Sequence, residues 1–128
     1  MTPIVVVAAV IERDGRFLLT RRQRGTHLAG LWEFPGGKCG AAETHEACLA
    51  RELVEELGAR STIGAELLTT THAYPEQTVE LHFRLAELQD EPRAMLGQEM
   101  RWVTRRDLAA LEFPEADREL IAMLTGAT

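Results

Sequence analysis

Glu52, Glu55 and Glu56 are the residues of this chain whose types and spacing point most directly to chemistry. On a helix turning about 100° per residue they fall within one arc of about 100°, while Ala47, Ala50, Leu53, Val54 and Leu57 gather on the other side. Like charges at i,i+3 and i,i+4 repel by a few tenths of a kcal/mol per pair, so an undivided acidic face gains from a bound cation. Carboxylates converging on one point are what the hard, oxygen-seeking Mg²⁺ ion requires. Three glutamates on one side of a helix are also a common solvated face, and the preceding segment decides between the two. Gly36 and Gly37 lack side chains, which lets backbone groups approach a metal or a phosphate closely, and Lys38 adds a cation.

The elements that must position these groups follow from the rest of the pattern. Residues 43–57 contain no Gly or Pro and are rich in Ala, Leu and Glu, and Gly58 stands where a helix C′ residue belongs, which predicts a helix. Upstream, the β-branched run 4–11 and the run 17–19 flank Arg13-Asp14-Gly15-Arg16, a hairpin signal. A loop over 24–30 leads to a short strand at 32–34, which Pro35-Gly36-Gly37 ends. Residues 61–73 and 78–88 read as a second hairpin, and 100–103 as a further strand. Thr104 opens a short helix reaching Leu111, and Pro114 starts the last helix. Interspersed strands and helices with hairpins predict an α+β or mixed class in a single domain spanning residues 1–128.

Composition narrows the partners. With 128 residues, 45% of them hydrophobic, the chain supports one core, and its longest apolar run is too short to span a bilayer. A cytoplasmic protein is expected, with no membrane partner and with Cys39 and Cys48 as reduced thiols. A net charge of −6 with dispersed basic residues argues against long nucleic acid, whereas a small polyphosphate remains admissible because a divalent cation inverts the local sign of an acidic site. His27, His45, His72 and His82 show no ligand spacing and receive no role.

Gly37, five residues, Glu43, seven residues, then Arg51-Glu52-Leu53-Val54-Glu55-Glu56-Leu57-Gly58-Ala59 resembles the Nudix box, departing from it only at Ala59, where the family carries a bulkier aliphatic residue. Residues 6–11, Arg21-Arg22, 30–38 and 101–103 are similar to members of the MutT type, so the resemblance covers essentially the whole chain. It implies an α/β/α sandwich around a mixed β-sheet. It further implies Mg²⁺, or Mn²⁺ in its place, held by Glu52, Glu55, Glu56 and the carbonyl of Gly36, with Glu43 and Arg51 positioning the helix and its ligands. One of these glutamates, or a carboxylate of a neighbouring loop, would accept the proton of the attacking water. MutT-like chains often carry a further glutamate where Leu96 stands here, and Glu99 is the candidate replacement.

The same resemblance implies a nucleoside triphosphate as substrate, cut to the monophosphate and pyrophosphate, in a monomer or a homodimer. Arg22 and Lys38 stand where phosphate contacts fall in MutT-like proteins, and Phe34 borders the glycine loop within reach of a base. Asp117 occupies the position at which such proteins present an amide to oxidised guanine; an ionised carboxylate accepts hydrogen bonds and cannot donate them, which suits guanine N1–H and N2–H₂ or cytosine N4–H₂. The leading substrate is 8-oxo-dGTP, with cytidine nucleotides or 2-hydroxy-dATP as alternatives. Dinucleoside polyphosphates, NADH and ADP-ribose have no accessory motif in their favour. A non-catalytic nucleotide-sensing module is the rival of another class, and the intact set of glutamates opposes it.

Overall fold

The computed structural model describes residues 2–26 and 28–126, so His27 lies outside the described residues. The strands are β1 (Ile4–Val10), β2 (Glu12–Arg13), β3 (Arg16–Arg21), β4 (Trp32–Glu33), β5 (Gly36–Lys38), β6 (Ser61–Ala73), β7 (Thr78–Leu88) and β8 (Met100–Thr104). The helices are α1 (His45–Leu57), α2 (Arg105–Leu108) and α3 (Arg118–Thr125), the last entered through a 3₁₀ turn, Glu115–Asp117.

The Asp14-Gly15 turn forms as expected, with φ of 53° and 75°, but only β2 pairs back onto β3. The preceding apolar run leaves for a different sheet, ordered β5-β1-β7-β6, in which β1 is parallel to β7 and antiparallel to β5. The second sheet joins β2, β3 and β4, with β8 on β3. Period-two alternation along β1 then divides the core. Val7, Ala9 and Ile11 pack with Leu49, Leu53 and Leu57 of α1. Ala8 and Val10 face the other way, into a cluster closed by Leu108, Leu120 and Leu124. Helices therefore cover both faces of a mixed sheet, the α/β/α arrangement expected from the sequence.

Helix α1 begins where the Thr44 hydroxyl accepts a hydrogen bond from the Ala47 N–H at 3.1 Å and ends at Gly58, in the left-handed region at φ 63°. Its buried stripe differs from the expected one. Cys48, Leu49, Leu53 and Leu57 face the sheet, while Val54 is 49% exposed. The large leucines set the face because each gains ~1.5–3 kcal/mol by full burial, and alanines gain far less. Glu56, seven residues after Leu49 and hence about 20° from it around the axis, is carried into the interface.

Three further expectations are corrected. Gly36 and Gly37 do not end a strand; they belong to β5, which pairs with β1 through Val7↔Gly37 and Ala8↔Gly36. Cys39 and Cys48 are not free thiols but are bonded to each other, because β5 leads straight past the first turns of α1 and leaves the two Cα atoms 5.4 Å apart. The helix expected to reach Leu111 stops at Leu108, after which i→i+3 bonds from Ala110 to Asp107 and from Leu111 to Leu108 tighten the chain into turns.

Candidate active site

The glycine pair fixes how closely β5 approaches its neighbours. A Cβ at Gly36 would run into the Val7 carbonyl and the Ala8 backbone, and one at Gly37 would occupy the space taken by the Glu52 carboxylate. Glycine is a steric requirement at 36, whereas a side chain at 37 would displace the Glu52 carboxylate. With that approach made, the Gly36 N–H donates to Glu56 Oε2 at 3.2 Å, and the Thr20 hydroxyl donates to Glu56 Oε1 at 3.2 Å. Glu56 is only 8% exposed. Burial first, and then the nearby Glu33 charge, push its pKa up to about 7, against the two hydrogen bonds that pull it down. Burial also raises Glu52, against the opposing pull of Arg51.

Arg51 organises the outer half of the cluster. Its guanidinium donates to both Glu43 oxygens at 2.6 and 2.8 Å, to Glu52 at 2.9 Å, to Glu55 at 3.2 Å and to the Lys38 carbonyl at 3.2 Å. A planar fork with five N–H donors can make this set of contacts, which a lysine ammonium cannot reproduce. Glu43 also accepts from the Gly40 N–H at 2.8 Å, and the Arg51 hydrogen bonds followed by this one hold its pKa down at about 2. The arginine thus ties the glycine loop, the turn before α1 and the helix face together.

Behind β5 a cleft opens between the two sheets. Ala8, Leu81, Phe83 and Phe34 supply its apolar wall, and Glu33, Arg22, Lys38 and Asp117 its polar rim. Phe34 stacks on Phe113 at 5.9 Å and meets Phe83 edge-on at 6.0 Å, so it is both a core residue and a cleft wall. Arg22 donates to Glu33 at 2.7 Å. Asp117, in the 3₁₀ turn before α3, is 4% exposed. Burial first, and then the Glu33 charge, push its pKa up to about 8, against the pull of Arg22. The cleft therefore holds a protonated carboxyl near neutral pH, which donates one hydrogen bond and accepts others. This burial opposes the ionised acceptor expected at Asp117 from the sequence: sequence gives the residue type, and its surroundings bear on its charge.

The structure joins Glu43, Glu52 and Glu55 through Arg51, sets Glu56 against the Gly36 N–H, and places Arg22, Phe34, Lys38 and Asp117 around the adjoining cleft. Glu99 is not brought to this cluster. Its carboxylate pairs with Arg21 at 3.2 Å and Arg101 at 3.4 Å, whose guanidiniums lie over the Trp32 ring. Gln98 takes the place beside the helix instead, its amide donating to the Glu56 carbonyl at 2.9 Å. Sequence reasoning missed Glu33, which touches Arg22 and acts electrostatically on both Glu56 and Asp117. Its one signal was an acid inside a short aromatic strand, where burial is costly without a partner. The donor set around Glu56 is all oxygen and includes a buried carboxylate whose charge is incompletely compensated, which fits a hard divalent cation.

Comparison with known proteins agrees with this geometry. The NUDIX domain family matches residues 6–123. An 8-oxo-dGTP diphosphatase of Haemophilus influenzae is 41% identical over 129 residues, covering 98% of this chain and 94% of that protein. A CTP pyrophosphohydrolase of Escherichia coli is 36% identical over 121 residues, covering 94% of this chain and 88% of that protein. Among solved structures, the MutT protein of Methanosarcina mazei superposes with a TM-score of 0.85 at 26% identity, covering 96% of this chain and 94% of that one. A glycine strand packed closely on β1, an acidic helix face bound by one arginine and a matching family over nearly all of the chain place this protein among the Nudix hydrolases.

Proposed function

We propose that this protein is a Mg²⁺-dependent nucleoside triphosphate pyrophosphohydrolase of the MutT kind, a single domain that cleans the cytoplasmic nucleotide pool, with 8-oxo-dGTP as its leading substrate. One observation carries the reading: β5 forms both the floor of the acidic cluster and a wall of the base-sized cleft, so a triphosphate bound across Gly36, Gly37 and Lys38 would reach both. Glu52, Glu55, Glu56 and the Gly36 carbonyl are the ligands we assign, and Glu99 is left out. Bound there, the metal would orient the phosphates, neutralise developing charge and lower the pKa of the attacking water. Glu43 and Arg51 hold the ligands in register, and Arg22 and Lys38 meet phosphate oxygens.

Phe34 and Asp117 read the base in this proposal. A neutral carboxyl offers an adjacent donor and acceptor, which complements the N7–H and O6 of 8-oxoguanine. The same pair complements the N4–H and N3 of cytosine, and the 36% identity to a protein named CTP pyrophosphohydrolase favours keeping cytidine nucleotides as the second reading. Ordinary guanine, with two donors at N1 and N2, would need the ionised form. The test is pyrophosphate release with Mg²⁺ at low substrate concentration from 8-oxo-dGTP, dGTP, dCTP, CTP, 5-methyl-dCTP, 2-hydroxy-dATP and ADP-ribose. Preference for 8-oxo-dGTP is expected; preference for the cytidine forms moves the assignment to the second reading, and inactivity on every triphosphate overturns the proposal.

A further inference from the structure

A second cluster of metal-type side chains lies on the α1 side of the first sheet, two strands away from the glycine loop. Val7 pairs with Gly37 on one side and His82 on the other, and His82 pairs in turn with Thr69, so His82 projects from the same row of the sheet whose Gly37 lies under the Glu52 carboxylate of α1. His45, the first residue of α1, stands two helical turns before Glu52 and faces the same way. Its ring lies 4.1 Å from that of His82, centroid to centroid. One potential ligand atom from each of His45, Glu66 and His82 lies within 4.8 Å of the other two.

The hydrogen bonding around His82 distinguishes this cluster from a chance meeting of polar groups. The side chain is buried, with 8% of the residue exposed, and both ring nitrogens face carboxylates. Nδ1 lies 2.8 Å from Glu66 Oε1, and Nε2 lies 2.9 Å from Glu80 Oε2. A neutral imidazole carries one N–H and satisfies one of these contacts, and an imidazolium satisfies both. The Thr69 hydroxyl also lies 3.1 Å from Nδ1. A cation held by Nδ1 and Glu66 would take the place of a proton there, with Nε2–H donated to Glu80. That is the carboxylate–histidine–metal arrangement in which an outer carboxylate fixes the tautomer of a ligating ring. The surrounding charge suits a divalent ion: Glu66, Glu80 and Glu46 stand against Arg84, which reaches Glu46 at 3.4 Å.

We propose that His45, His82 and Glu66 form a second metal centre, separate from the all-oxygen glutamate cluster, that takes a borderline divalent transition ion, Zn²⁺ foremost. Two imidazoles and one carboxylate are a donor set favoured by Zn²⁺ and poorly matched to Mg²⁺, and three protein ligands leave a fourth position for water. The centre would clamp the first turn of α1 onto β6 and β7, and so brace the helix that carries the acidic face. The inference does not depend on which nucleotide the enzyme cleaves.

The test uses the full chain with its disulfide intact, in millimolar Mg²⁺ to occupy the glutamate cluster, titrated with Co²⁺ and then with Zn²⁺. One equivalent of Co²⁺ should bind with the intense visible absorption of four-coordinate geometry, and Zn²⁺ should displace it while shifting the ring ¹⁵N resonances of His45 and His82. His45→Ala, at a half-buried position, and Glu66→Gln, at an exposed one, should weaken Zn²⁺ binding by at least about tenfold with unchanged circular dichroism. Absence of Zn²⁺ binding in Mg²⁺ overturns the proposal, as does binding equally tight in both variants. Binding lost in Glu56→Gln but kept in His45→Ala also overturns it, because the ion would then sit on the glutamates.

Discussion

Arg51 and Arg22 each gather carboxylates, and Glu43 in one group and Asp117 in the other are held in opposite states. Around Arg51 the acids range from largely buried Glu52 to exposed Glu55, and the most fully paired of them, Glu43, is held at about 2. Around Arg22 the single arginine serves a buried group: Glu33 contacts it, while Asp117 and Glu56 lie further in with values of about 8 and 7. In the first group Glu43 is satisfied by the protein itself and acts as scaffold, while Glu52 and Glu55 share one guanidinium nitrogen and stay available as ligands. In the second, burial exceeds compensation, and a cation or a base edge supplies what is missing. The completeness of pairing, more than residue type, separates the structural Glu43 from acids awaiting a ligand.

The comparison breaks most directly at Glu56. Glu56→Gln keeps the shape of the side chain and removes its charge, so kcat should fall by roughly 100-fold or more, about 2.7 kcal/mol of transition-state stabilisation. The metal-free variant should be no less stable than the parent at neutral pH, since a carboxylate with a raised pKa opposes folding once it ionises. Steady-state kinetics and thermal melts in EDTA check both parts. A fully active variant removes Glu56 from the metal site.

Gly37→Ala probes the scaffold without touching a charge. The added methyl meets the Glu52 carboxylate, which must move while Arg51 still holds it. A misplacement of about 1 Å can cost up to 10²-fold, and a fall of roughly tenfold or more in kcat is expected, with circular dichroism unchanged. Activity within twofold of the parent would mean that the position of Glu52 is not critical.

Asp117 sharpens the other side through pH. Its folded pKa lies above the usual carboxylate value, so its contribution to stability is fully present below about 4 and is lost as pH rises towards 8. Asp117→Asn removes that loss and should melt above the parent at pH 9, with the gap closing towards pH 4. The ratio of kcat/KM for 8-oxo-dGTP over dGTP should drop severalfold as the parent passes pH 8 and stay flat in the variant. A parent ratio independent of pH would detach Asp117 from base reading.

How far these groups were legible in the sequence depends on what fixes them. Glu43, Arg51 and the glutamates of α1 sit on a helix whose composition and Gly58 terminus are local signals, so their juxtaposition could be read from spacing. β5 could not, because glycines suit strands poorly on their own and enter this one only through close approach to Val7 and Ala8. The buried stripe of α1 was misplaced where alanines were weighted like leucines. Glu33 and the protonation of Asp117 are set by burial between two sheets, which no local pattern encodes. His45, Glu66 and His82 come from three elements, and only the pairing of β6 with β7 under α1 brings them together.

Glu99→Gln carries the smallest expected effect and tests whether the division between paired and waiting acids is complete. Glu99 is 47% exposed and already engaged by Arg21 and Arg101, and exposed pairs of this kind are worth about 0.2–1 kcal/mol each before screening by salt. The variant should lose less than about 0.5 kcal/mol of stability and keep kcat/KM within about twofold. Its neighbour Gln98, bound to the Glu56 carbonyl and to the Leu96 N–H, occupies the approach to the cluster that a ligand at 99 would need. A tenfold fall in kcat, with KM unchanged and the defect reduced at higher Mg²⁺, would mean that Glu99 leaves its arginines and joins the metal during turnover. A satisfied surface acid would then belong with the waiting ones, and full pairing in the resting enzyme would no longer mark an acid as scaffold.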